Sequence, residues 1–255
     1  MKKRVLVYFD FICPYSYILH NYLKRMQKDL KADIIWKSFE LYPPHKLKPA
    51  KGTQPYKDQQ QNTRNISKLF RTKMKFNGNF SRSKLAHEVY KYSQTKDKGD
   101  KFRDAVFKAY HLKGRNIEKL NVVLDIAKKS KLNTTELLGH MDAAKFIHDI
   151  HKDEIDAQAM GVRGVPTIRI GKYQLYGILD YAELKKTLRD MLKKTVTPKI
   201  KKKPPKKKGK AKKPVKKKTK KKTKAKKTIK KKPAKRKKTT KKVKKKTASK
   251  KKKKR

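Results

Sequence analysis

Residues 9–17 read Phe-Asp-Phe-Ile-Cys-Pro-Tyr-Ser-Tyr (FDFICPYSY), and the fold is decided at this junction. Just before it, Val5 to Phe9 is a run of β-branched, apolar and aromatic residues, the composition of a strand buried on both faces. Just after it, Pro14 suits the first position of a helix, and Tyr15, Ile18, Leu19, Tyr22, Leu23, Met26 and Leu30 recur at helical spacing. Cys13 therefore falls at the N-cap, where a strand ends and a helix begins. Asp33 to Phe39 (DIIWKSF) reads as a second strand. Strand, helix and strand within about 40 residues form a βαβ unit with a parallel pair.

Further along, Leu41 to Thr63 is rich in Pro, Lys and Gln and reads as a long surface loop. Helical patterns follow at Ile66–Met74, Lys84–Gln94, Phe102–His111, Leu120–Lys129, Thr135–His140 and Ala143–Met160. Gly161 to Pro166 (GVRGVP) breaks the helices. Thr167–Ile170 and Tyr173–Tyr176 then read as two strands around a Gly171-Lys172 turn, and Tyr181–Leu192 as a closing amphipathic helix. The order βαβ, helical block, ββα predicts one α/β layer over residues 1–192, its halves separated by a helical insertion at about residues 60–160.

The charge divides the chain into two parts. Of 78 Lys and Arg, 39 fall in the 63 residues from Lys193 to Arg255, where no acidic residue occurs. Residues 1–192 keep 39 basic and 20 acidic residues, a net charge of +19. The first part is long enough to bury a core. The second is expected to be disordered, because like charges at this density repel and too little apolar surface offsets the chain entropy. The opening MKKR-VLVYFDFI is too short and too charged for a signal peptide, and no run approaches the ~18 apolar residues of a spanning helix. These features predict a cytoplasmic or nuclear protein with no transmembrane segment.

Cys13 is the sole cysteine, so no disulfide can form within the chain. Its chemistry is predicted from its place. Unpaired N–H groups and the positive end of the helix dipole face the sulfur and favour thiolate. Ser16, one turn on, is expected to donate to the sulfur, and the basic surroundings push the same way. The thiol is thus expected to titrate well below its ordinary value. Among the seven histidines, His148 and His151 with Asp149 and Asp153 are the most ligand-like group, but no further His or Cys stands at a supporting interval, and no metal site is assigned. No tightly bound cofactor is expected.

FDFICPYSYI resembles the start of the FrnE-like branch of the DsbA family. WKSFELYP (36–43), SKLAHEVYKYS (83–93), AYHLKGRNIEKLNVVLDIAKKSKL (109–132) and DEIDAQAMGVRGVPTIRIGKY (153–173) are similar to that branch in order and spacing. The resemblance implies a thioredoxin-like fold with an inserted helical domain and a thiol-disulfide oxidoreductase. It makes Cys13, Ser16 and Pro166 the catalytic set. Gly164-Val165-Pro166-Thr167 resembles the family's cis-proline loop, and Pro14, Tyr15, Val165 and Thr167 would contact substrate, with free backbone groups of Val165 pairing with it. The family's second cysteine is replaced by Ser16. A mixed disulfide at Cys13 then has no internal thiol to resolve it, and glutathione or a partner thiol would serve as co-substrate. Pro-Tyr-Ser-Tyr is also similar to 2-hydroxychromene-2-carboxylate isomerases and kappa-class glutathione transferases, which carry Ser at the position of Cys13. The alternatives are a redox-inactive thioredoxin scaffold in a nucleic-acid-associated structural protein and, as this second resemblance implies, a glutathione-dependent isomerase or transferase.

Residues 193–255 consist of Lys runs broken by Thr, Pro, Val and Ala. Such a segment is expected to bind nucleic acid through backbone phosphates, with counterion release supplying the energy and without base readout. Pro233-Ala234-Lys235-Arg236-Lys237-Lys238 also has the form of a nuclear-import signal, and Lys235, Arg236, Lys237 and Lys238 are its basic core.

Overall fold

A computed structural model describes residues 2–76, 78 and 80–195. β1 (Lys3–Phe9) buries Val5, Val7, Tyr8 and Phe9 completely, as a strand covered on both faces requires. α1 (Pro14–Leu30) ends at Lys31, whose φ of 48° gives a left-handed cap. β2 (Ala32–Ser38) then runs parallel to β1, in register from Lys3↔Ala32 to Phe9↔Ser38. A helical block follows: α2 (Gln54–Leu69), α3 (Lys84–Thr95), α4 (Gly99–His111), α5 (Leu120–Lys129), α6 (Thr134–Asp142) and α7 (Ile147–Ala159).

The chain then returns to the sheet. β3 (Thr167–Ile170) pairs antiparallel with β1, and β4 (Tyr173–Tyr176) pairs antiparallel with β3. Gly171, at φ 58°, supplies the left-handed turn between them. α8 (Tyr181–Lys194) starts on Asp180, whose side chain accepts from the Glu183 N–H. The four-stranded order is β2-β1-β3-β4. Sheet partners Tyr8 and Thr167 come from opposite ends of the folded segment, so the helical block is an insertion within one layer.

The long loop expected over Leu41–Thr63 is overturned in its second half. Residues 54–63 form the first turns of α2, and the helix stops at Leu69 instead of running from Ile66 to Met74. Pro55 stands in the first turn, where its missing N–H costs nothing, and Tyr56, Thr63 and Ile66 give the helix a buried stripe. Arg71, at φ 46°, turns the chain out of the helix. α8 runs two residues past the expected end at Leu192. The readings that fall on residues 196–255, including Lys235–Lys238, lie outside the described residues.

The insertion and the sheet share one core. Phe9 packs against Phe11, Trp36 and Tyr90 edge-on at ring separations of 5.0, 5.2 and 5.6 Å, joining β1, β2 and α3. α7 is fastened to β2 by charge. Buried Asp153 accepts from Lys37 Nζ at 2.8 Å and from the Ser38 N–H at 2.8 Å, and it also pairs with Lys91. Glu154 accepts from the Glu40 N–H at 3.2 Å. These bonds hold α7 against the end of β2. Among the described residues, no helix is long and apolar enough to cross a membrane.

Candidate active site

Cys13 caps α1 at its N-terminus with extended backbone, φ −78° and ψ 118°, and Pro14 lies in the first turn. Its N–H donates to the Asp10 carbonyl at 3.2 Å, and its carbonyl accepts from the Tyr17 N–H at 3.1 Å. The side chain turns inward. Sγ donates to the Val165 carbonyl at 3.4 Å, and Tyr8, Ala157, Val162 and Val165 enclose it so that Cys13 is only 4 % exposed. Tyr15, Phe39 and Met160 pack around the same cluster. Val165–Pro166 is a cis peptide bond.

This enclosure overturns the expected low thiol pKa. Burial pushes the Cys13 thiol up to about 11, and the Asp10 carboxylate adds to the rise. The Ser16 hydroxyl, the Ser16 N–H and the Tyr15 N–H pull the other way and lose. Ser16 Oγ is fully buried and makes no hydrogen bond while the thiol donates to Val165. At pH 7 a thiol of this kind is held almost entirely in its protonated form.

Alkylation of Cys13 by iodoacetamide is therefore expected to accelerate continuously from pH 7 to beyond pH 10. A plateau below pH 8.5 would contradict the burial argument. Stability should follow the same group: the folded state holds the proton more tightly than the unfolded chain. The thiol's contribution is complete below about pH 9 and is lost as pH rises towards about 11.

The other residues singled out in the sequence gather around this sulfur. Thr167 Oγ1 donates to the Gly164 carbonyl at 2.7 Å, and the Gly177 N–H donates to the Pro166 carbonyl at 2.8 Å, fixing the loop from both sides. The Val165 carbonyl, expected to be free for substrate, is taken by the thiol. Its N–H has no acceptor among the described residues. Elsewhere, Asp153 is committed to Lys37 and Lys91 while His148 and His151 are exposed, so the ligand-like group read on this helix is not assembled. Among the described residues, no three His, Cys, Asp or Glu side chains could hold a metal ion together.

Two residues not singled out belong to the site. The Asp10 carboxylate accepts from the Ile12 N–H at 3.2 Å and from the Leu41 N–H at 2.6 Å, so it ties the turn before Cys13 to the segment after β2. His87 Nε2 lies 3.5 Å from it, both side chains being fully buried. Burial, opposed by His87 and reinforced by Asp10, pushes nearby Glu40 up to about 7. Tyr176 is 68 % exposed, and its ring lies where a Cβ on Gly164 would come within 3.1 Å. Burial, followed by the Cys13 and Tyr176 groups, raises the Tyr15 phenol, and Tyr15 packs on the cluster around the thiol. Asp10 lay inside the quoted motif, whereas nothing in sequence linked Tyr176 to Gly164.

A family model described as a DsbA-like thioredoxin domain matches residues 4–189. The chain belongs to this family. Solved structures with the same fold include a probable DsbA oxidoreductase from Streptomyces coelicolor (16 % identity, TM-score 0.63, covering 78 % of this chain and 93 % of that one). The cytosolic disulfide reductase DsbM from Pseudomonas aeruginosa is similar too (13 % identity, TM-score 0.58, 74 % and 95 % covered), and that protein has also been solved with GSH. A 2-hydroxychromene-2-carboxylate isomerase is likewise similar (17 % identity, TM-score 0.57, 74 % and 94 % covered). No curated protein matches the sequence. In this DsbA-like domain the two ends of the folded segment meet at Cys13 and Val165, and the helical insertion supplies the wall behind Phe11.

Proposed function

We propose that this DsbA-like protein is a monothiol disulfide reductase whose cycle is completed by glutathione. The observation that carries the reading is a lone thiol at a helix N-terminus with a serine hydroxyl in place of a second sulfur. The Cys13 thiolate attacks a substrate disulfide, forms a mixed disulfide and expels the other half as a thiolate. One glutathione thiolate then attacks Cys13 Sγ and expels the bound half. A second attacks the glutathione sulfur of the new adduct, releasing glutathione disulfide and the Cys13 thiolate. Each exchange moves one S–S bond, and the sum reduces the substrate by two electrons at the expense of two glutathiones. The high thiol pKa supports the reducing direction, because it leaves the free thiolate unstabilised relative to the disulfide-bonded sulfur.

Residues 199–255, with 37 Lys and Arg, would hold the protein on nucleic acid through phosphates, and Lys235–Lys238 would form a nuclear-import address. Exposure to oxidised glutathione is expected to add one glutathionyl group to Cys13, visible by intact mass. The adduct should be reversed by reduced glutathione with saturable dependence and should be absent in Cys13→Ser. A second reading, a redox-inactive scaffold, is favoured by the 4 % exposure of Cys13. A chain that gains no adduct after prolonged exposure at pH 9 is the result that supports the scaffold and sinks the reductase.

A further inference from the structure

Between Glu40 and Glu88 the chain carries eleven Lys and Arg and a single acidic residue, Asp58, which accepts from Gln54 Nε2 at 2.7 Å. Eight of the eleven are exposed, and six of these, Lys57, Arg64, Lys68, Arg71, Lys73 and Lys75, lie on α2 and the segment that follows it. Among the described residues, none of these six has a carboxylate within 4 Å. Elsewhere in the domain many surface cations find partners, as Lys24 and Lys108 do at Asp104 and Lys129 does at Asp125. Unpaired cations at this density repel one another and raise the affinity of the surface for polyanions.

The fold arranges these cations around a groove. After α2 the chain turns back: the Thr72 N–H donates to the Ser67 carbonyl at 3.0 Å, and Ser67 Oγ donates to the Thr72 carbonyl at 2.8 Å. The Lys75 N–H is fixed to the His111 carbonyl at 2.6 Å. Between α2 and the returning segment lies an open groove of about 400 Å³, with Arg64 and Lys68 on the helix side and Lys75 and Phe76 on the other. No acidic side chain lines it. Phe76 is partly exposed and is held edge-on by Tyr56 at 5.4 Å.

Lys57 and Lys68 are eleven residues apart on one helix, a rise of about 16 Å. That is the length of roughly five phosphates along one nucleic-acid strand. A single phosphate would need a compact cluster, whereas these cations form a line with a ring beside it on which a base can stack.

We propose that this groove on α2 is a second nucleic-acid site, a phosphate-backbone track on the folded domain. It rests on residues 57–76 alone and depends neither on Cys13 nor on residues 199–255. The test is lysine acetylation footprinting of the full chain with and without a single-stranded thymidine oligonucleotide. Lys57, Lys68, Lys73 and Lys75 are expected to react roughly three- to tenfold more slowly in the complex, while exposed Lys128 and Lys186 keep their rates. In the full chain carrying Arg64→Gln, Lys68→Gln and Lys75→Gln, protection of Lys57 and Lys73 should disappear while any protection of lysines 199–254 persists. Groove protection without tail protection would support the groove and refute the tail assignment. Protection confined to the tail, equal protection of Lys128 and Lys186, or protection of the groove by phosphatidylserine vesicles but not by the oligonucleotide would each overturn the proposal.

Discussion

Ser16→Cys is expected to shorten the lifetime of a mixed disulfide on Cys13 by a factor on the order of 10² or more, because resolution becomes intramolecular. Residue 16 is the third residue of α1, fully buried, and its hydroxyl, near enough to pull the Cys13 thiol pKa down, makes no hydrogen bond while the thiol donates to Val165. A sulfur there replaces an oxygen that lowers the thiol pKa, so the first attack gains no help and the second gains a neighbour. Brief treatment with oxidised glutathione should leave the parent chain with a glutathionyl adduct. Ser16→Cys should instead lose two hydrogens and carry no adduct. Accumulation of the same stable adduct in both proteins would show that position 16 cannot reach the sulfur.

Loss of the Asp153 carboxylate should carry the largest cost in stability. Asp153→Ala is expected to destabilise the domain by about 3–5 kcal/mol, the effect of breaking a buried ion pair from one side. Lys91, 10 % exposed, and Lys37, 22 % exposed, would be left facing each other, and the Ser38 N–H would lose its acceptor. Asp156→Ala should cost under about 1 kcal/mol, since that side chain is 40 % exposed and reaches Lys37 at only 3.4 Å. Urea unfolding of the two variants provides the comparison. Asp153→Ala should also speed Cys13 alkylation, because Phe39, next to Ser38, packs around the thiol. Equal midpoints for the two variants would mean that α7 is not held to β2 through this carboxylate.

Local pattern carried much of the architecture. The strand of apolar residues before Cys13, Pro14 at the helix start and the Gly171-Lys172 turn are short-range signals, and β3, β4 and α5 lie where their residues predict. The misreading of residues 54–63 has the same origin: Pro, Lys and Gln are loop-like in composition, and only burial of Tyr56 and Thr63 against the rest of the domain makes that stretch a helix.

By itself the sequence determined the order of elements, the single cysteine and its seat at a helix N-terminus, since each depends on residues close together in the chain. The protonation state of that sulfur was decided only by tertiary structure. Residue 13 at the start of α1 meets residue 165 ahead of β3, and Tyr8, Ala157, Val162 and Val165 close around the sulfur. Desolvation then outweighs the helix terminus and Ser16, because removing water from a charge costs more than a few local donors return. The packing of Tyr176 on Gly164 and the two-sided basic groove on α2 are decisions of the same kind. They depend on which distant surfaces are brought together, and no local spacing encodes that.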